Sequence, residues 1–133
     1  MKPAFGDTYY YAALGNPGDA GHKKALAYAM SSVRPVITTC WVITEIADGL
    51  CRVHQRPKFL RLHALLQLDP TVTILPPDTN LFNRGLALYA ARPDKDWSLT
   101  DCISFVVMSE RGLTDALTAD KHFEQAGFWA VLA

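Results

Sequence analysis

The stretch Ser98–Glu110, reading SLTDCISFVVMSE, constrains the fold more than any other part of the chain. Its opening Ser-Leu-Thr-Asp fits the capping-box pattern, and the residues that follow are apolar on almost every side of a helix. Such a helix must be surrounded by other elements rather than laid on a surface. Gly112 ends it, a brief strand over Ala116–Thr118 follows, and Asp120 comes directly after. Asp101 and Asp120 therefore both fall at element boundaries.

The rest of the chain alternates short strands with helices. An apolar run over Pro3–Gly6 reaches Asp7, and Thr8–Leu14 then reads as a helix broken by Gly15-Asn-Pro-Gly18. A second helix is expected from Asp19 to Ser31, and a β-branched strand over Pro35–Thr39. Trp41–Leu50 reads as helix. Pro57 suits the first turn of another helix, with Phe59, Leu62, Leu65 and Leu66 on one face. Thr71–Leu75 is a strand closed by two prolines. Asp78 or Thr79 caps a helix whose expected inner face carries Phe82, Leu86 and Tyr89. A helical turn over Lys121–Ala126 and a strand over Phe128–Leu132 complete the pattern.

Strands without polar alternation, separated by helices, imply a parallel sheet covered on both faces. The expected class is α/β, a three-layer α/β/α sandwich around a mostly parallel, short-stranded sheet. A length of 133 residues suits a single domain over 1–133. No apolar run approaches the ~20 residues that cross a bilayer, and the opening residues do not resemble a secretory leader. Cys40, Cys51 and Cys102 are unclustered and odd in number, which suggests buried thiols and a cytoplasmic location. The charge is uneven: residues 1–67 hold eight Lys/Arg against four Asp/Glu, and the remainder five against nine. Arg52, Arg56 and Lys58 give the first half a local basic face that could contact nucleic acid, although a merely solvated surface is the commoner explanation for any single one of them.

In open parallel sheets, ligands bind outside the carboxyl ends of the strands. Asp7 and Asp120 follow strands there, Asp101 lies in the first turn of the apolar helix, and Glu45 sits about a turn and a half into another. Four clustered carboxylates repel one another unless a cation joins them, and an all-oxygen set suits Mg2+ or Mn2+. Each acid also has a simpler explanation. The three aspartates could be helix caps, and Glu45 could lie on a polar stripe with Thr44 and Asp48.

The segments Phe5-Gly-Asp7-Thr, Thr39-Cys-Trp-Val-Ile-Thr-Glu45, Ser98-Leu-Thr-Asp101-Cys and Leu117-Thr-Ala-Asp120-Lys-His-Phe123 resemble the PIN domain, with closest likeness to bacterial VapC-type proteins. The likeness spans essentially the whole chain, and the order and spacing of the four acids agree. It implies a metal-dependent ribonuclease, often the toxin of a toxin–antitoxin pair and usually a homodimer. On that likeness Asp7, Glu45, Asp101 and Asp120 become catalytic metal-site residues, with Thr8 and Thr118 as supporting hydroxyls. RNA is the implied substrate and a small antitoxin the implied partner. A solitary RNA-processing nuclease, or a catalytically weak RNA- or protein-binding module, is the alternative.

Other chemistries lack their signatures. The four histidines have no zinc spacing, and His122, close to Asp120, is expected at a helix end. No serine sits in a glycine-flanked nucleophile elbow. Tyr9-Tyr10-Tyr11 reads as packing sooner than as a base-stacking platform.

Overall fold

The computed structural model describes all residues from 1 to 133. The elements run β1 (Ala4–Gly6), α1 (Thr8–Gly15), α2 (His22–Ser31), β2 (Val36–Thr39), α3 (Cys40–Gly49), α4 (Arg56–Leu68), β3 (Val72–Leu75), α5 (Thr79–Ala91), α6 (Leu99–Glu110), β4 (Asp115–Leu117), α7 (Lys121–Gln125) and β5 (Trp129–Ala130). The five strands form one sheet in the order β3-β2-β1-β4-β5, with every pair parallel. The expectation of a mostly parallel sheet is thus met completely.

Each of the first four strands leads into a helix, because a parallel neighbour can be reached only by a crossover. From β1 the chain steps outward through β2 to β3, then returns to the other side of β1 to place β4 and β5. Right-handed crossovers with those opposite steps put α1–α4 on one face and α5–α7 on the other. The packing agrees: α1 meets α2 and α3, α3 meets α4, while α6 rests on α5 and α7. The chain reverses direction between β1 and β4, where Gly6 lies beside Leu117. That switch point is where the carboxyl ends of two strands leave a crevice.

Burial follows the layers. Both β1 and β2 are buried throughout, and edge strand β3 is only partly covered. In α6, Asp101, Cys102, Ile103, Ser104, Phe105, Val107 and Met108 are all buried, as an apolar helix between other elements requires. Phe105 meets Phe123 edge-on at 4.9 Å between ring centroids, and Trp97 at 5.0 Å. This aromatic cluster ties α6 to the short α7 and so fixes the backbone around Asp120.

Several expectations shift. The second helix starts at His22 rather than Asp19, because the Asp19 carboxylate accepts the Gly21 N–H at 2.7 Å and holds the chain in a turn. The inner face of α5 carries Leu81 and Gly85, while Leu86 and Tyr89 are 43% and 50% exposed. The helix is rotated because α5 seats Gly85 against Ile103 of α6, an approach that only a residue without Cβ permits. On α4 only Leu66 is buried and Leu65 points outward, since the β3 edge offers little to cover. Cys51 is exposed in the turn after α3, whereas Cys102 is buried, and no disulfide forms. Tyr10 and Tyr11 pack edge-on at 5.0 Å within the core, which settles the tyrosine run as packing. No helix is long and apolar enough to cross a membrane.

The α5–α6 contact yields a direct test. Gly85→Val, which forces side-chain atoms onto Ile103, is expected to lower stability by about 1–3 kcal/mol. Urea denaturation read by circular dichroism measures it.

Candidate active site

Asp7 leaves β1 at the N-terminal boundary of α1, yet its side chain makes no capping bond to that helix. Its carboxylate is buried and accepts a hydrogen bond from Thr118 Oγ1 at 2.8 Å. Thr118 follows β4, so this bond spans the switch point. The same Thr118 oxygen accepts the Asp120 N–H at 3.0 Å, which orients the next acid as well. One hydroxyl therefore joins the Asp7 carboxylate to the backbone of Asp120.

Asp101 completes the capping box. Ser98 Oγ accepts the Asp101 N–H at 2.9 Å, and Asp101 Oδ2 accepts the Ser98 N–H at 3.1 Å. Asp120 Oδ1 accepts the His122 N–H at 2.9 Å and caps α7. Capping is thus real for both, but it does not exhaust either group, because the same carboxylates also face the rim. Glu45 extends from α3, where α3 meets α6, and Thr8 Oγ1 donates to its Oε1 at 2.5 Å. Glu45 is half-buried and tied to the hydroxyl that follows Asp7, rather than lying on a solvated stripe.

Electrostatics confirm how close the acids are. Burial pushes the Asp7 carboxyl up to about 7, the Thr118 bond opposes this, and the charges of Asp101 and Glu45 push it up again. Burial likewise raises Asp101, the Ser98 N–H opposes it, and Asp120 and Glu45 add repulsion while His122 relieves it. Carboxylates so placed lack cationic compensation from any lysine or arginine. A divalent ion would supply it.

His122 was expected at a helix end. It is there, but its ring turns into the rim: Nδ1 lies 3.3 Å from Asp101 Oδ2 and 3.4 Å from Asp120 Oδ1. That nitrogen is buried without a hydrogen-bond partner. The sequence signal was its spacing, two residues after a strand-end aspartate at the start of a helix.

Beside Thr8 and Glu45 a groove of about 530 Å3 opens between α1, α3 and α4, and Lys58 and Arg61 also line it. Neither cation is in an ion pair. Tyr11, Leu14, Ile46 and Leu62 supply apolar wall. Of the three basic residues singled out from sequence, Lys58 enters this groove and lies over Gly15. Arg56 instead donates to the Cys51 carbonyl at 3.1 Å and borders a smaller hollow, and Arg52 is exposed.

Comparison with known proteins bears on the family and the fold. Residues 9–128 match the PIN domain model, a match that begins two residues after Asp7. The 23S rRNA-specific endonuclease VapC20 of Mycobacterium tuberculosis, in two strains, is 30% identical over 124 residues, covering 93% of this chain and 94% of the relative. The crystal structure of Mycobacterium tuberculosis VapC20, described as a sarcin-ricin loop cleaving toxin, superposes with a TM-score of 0.86 at 29% identity, covering 95% of this chain and 96% of that one. FitAcB from Neisseria gonorrhoeae shares the fold, with a TM-score of 0.66 at 19% identity over 96% of this chain and 95% of that one.

Burial of Asp7 has a consequence for stability. Its folded value, about 7, lies above the ordinary 3.8, so the native state holds the proton more tightly than the unfolded chain. Its contribution to metal-free stability is full below about pH 4 and is lost as pH rises through about 7. Melting temperature of the metal-free protein should fall between pH 5 and pH 8. In Asp7→Asn that decline should be shallower, as differential scanning fluorimetry would show.

Proposed function

The chain belongs to the PIN-domain family, and from that premise we propose that it is a divalent-metal-dependent endoribonuclease, the toxin of a toxin–antitoxin pair. The observation that carries the reading is the convergence of Asp7, Glu45, Asp101 and Asp120 on one rim, where the first and third are raised by burial and mutual repulsion. The donor set fits Mg2+ or Mn2+: clustered oxygen donors, no competing lysine or arginine, and hydroxyls already orienting them. When bound, such an ion acidifies water and neutralises charge developing on a phosphodiester.

The chain's own residues do the rest. Asp7 and Asp101, anchored by Thr118 and by the Ser98 backbone, would be the best-fixed ligands of such an ion. Glu45, held by Thr8 at the mouth of the groove, is placed to bind the ion or take a proton from the attacking water. Asp120 completes the set. Lys58 and Arg61 offer charge to backbone phosphates entering the groove, and its apolar wall suits a base or sugar. Arg52 and Arg56 remain peripheral contacts. Single-domain organisation over residues 1–133, a homodimer and a small antitoxin partner belong to the same proposal, as does a cytoplasmic site of action. The likeness to a 23S rRNA-specific endonuclease makes a ribosomal RNA stem-loop the first substrate to test.

Two experiments follow. Asp7→Asn and Asp101→Asn should each lower Mn2+-dependent cleavage by more than about 100-fold, beyond the ~10–100-fold typical of residues that only support a ligand. Circular dichroism should stay unchanged, and unchanged cleavage by both variants would sink the assignment. The double variant Lys58→Ala/Arg61→Ala should raise KM about tenfold and leave kcat nearly constant. Its logarithmic salt dependence of binding should flatten by about 1.4, two phosphate contacts at about 0.7 each for a single strand.

A further inference from the structure

The α7 cap does not account for the direction of the His122 ring. The backbone N–H of this residue already serves the α7 cap, and the ring is not needed for it. Its Nδ1 is nevertheless buried, unpartnered, and set between two carboxylates at 3.3 and 3.4 Å. Those separations exceed the ~2.7–3.2 Å of an N–H···O hydrogen bond. They are close to the spacing of neighbouring donors around one six-coordinate ion. Bonds of about 2.1 Å at right angles put adjacent donor atoms about 3.0 Å apart. One ligand atom each from Asp101, Asp120 and His122 lie within 4.8 Å of one another, close enough to share an ion.

We propose that His122 is itself a metal ligand, contributing Nδ1 beside the Asp101 and Asp120 carboxylates. The proposal rests on the divalent-metal reading above and extends it, because an imidazole changes which ion the site prefers. Mg2+ takes oxygen donors, whereas nitrogen donors favour transition ions in the order Mn2+ below Co2+. A purely carboxylate rim would discriminate weakly; one with His122 selects Mn2+ or Co2+ over Mg2+. The competing role is a protonated ring that bridges the two carboxylates and takes the place of a cation. In that case removing the ring would leave metal affinity unchanged or raise it.

Electron spin-echo envelope modulation on the Mn2+-loaded protein separates the two. Expected is a nitrogen modulation that changes when the histidines are labelled with 15N and disappears in His122→Asn. The other histidines cannot supply it from where they stand: His22 Nδ1 contacts the Ala13 carbonyl, His63 contacts Gln67, and His54 is exposed in the turn before α4. Titration calorimetry should show Mn2+ affinity about tenfold weaker in His122→Asn, with a smaller loss for Mg2+. Mn2+ bound without nitrogen modulation, or with equal affinity by the variant, would overturn the assignment and leave the carboxylate site standing. Failure of the parent protein to bind Mn2+ at all would overturn both. The isotope comparison needs no substitution, so it decides the matter even if the variant folds poorly.

Discussion

A hydrogen bond from Thr118 Oγ1 to the buried Asp7 carboxylate holds the site together. Burying a carboxylate away from water is unfavourable, and placing others beside it makes matters worse. The fold accepts this only because the surrounding frame is rigid. Phe123 and Phe105 lock α7 to α6, the sheet fixes β1 against β4, and Thr118 joins the two strand ends where they diverge. The acids are held in place, and no lysine or arginine relieves their mutual repulsion. Burial and charge repulsion therefore work against stability at one point, and the packed apolar helix α6 helps to hold the carboxylates there.

Charge across the molecule is arranged to match. The acidic rim lies at the switch point, and the unpaired Lys58 and Arg61 lie across the groove from Glu45. On the proposed reading, those cations would hold a polyanion's backbone beside the carboxylates. Net neutrality of the chain hides this division, because opposite charges sit on different elements of the same crevice.

Much of this was legible in the chain. The capped apolar helix, the alternation of strand and helix, and the strand-end aspartates are local features, and local features survive in a one-dimensional reading. The capping reading of Asp101 holds, and the same carboxylate also feels the charges of Asp120 and Glu45. A carboxylate has two oxygens and several lone pairs, so one group does both. The faces of α4 and α5 were less legible, because periodicity gives a stripe but not which neighbour it meets. Gly85 decided the rotation of α5 by letting α6 approach, and Leu65 stays mostly exposed on the wall of the groove.

The sequence by itself determined the element order, the parallel sheet, and the three aspartates at element boundaries. These follow from hydrophobic spacing and from where strands end. Only the tertiary structure decided that Asp7 makes no cap, that Thr118 serves two acids, that Lys58 enters the groove while Arg56 turns away, and that the His122 ring faces the rim. Each of these depends on where a side chain points once distant segments meet. Rotamers and burial are set by neighbours far away in the chain, and no local pattern encodes them.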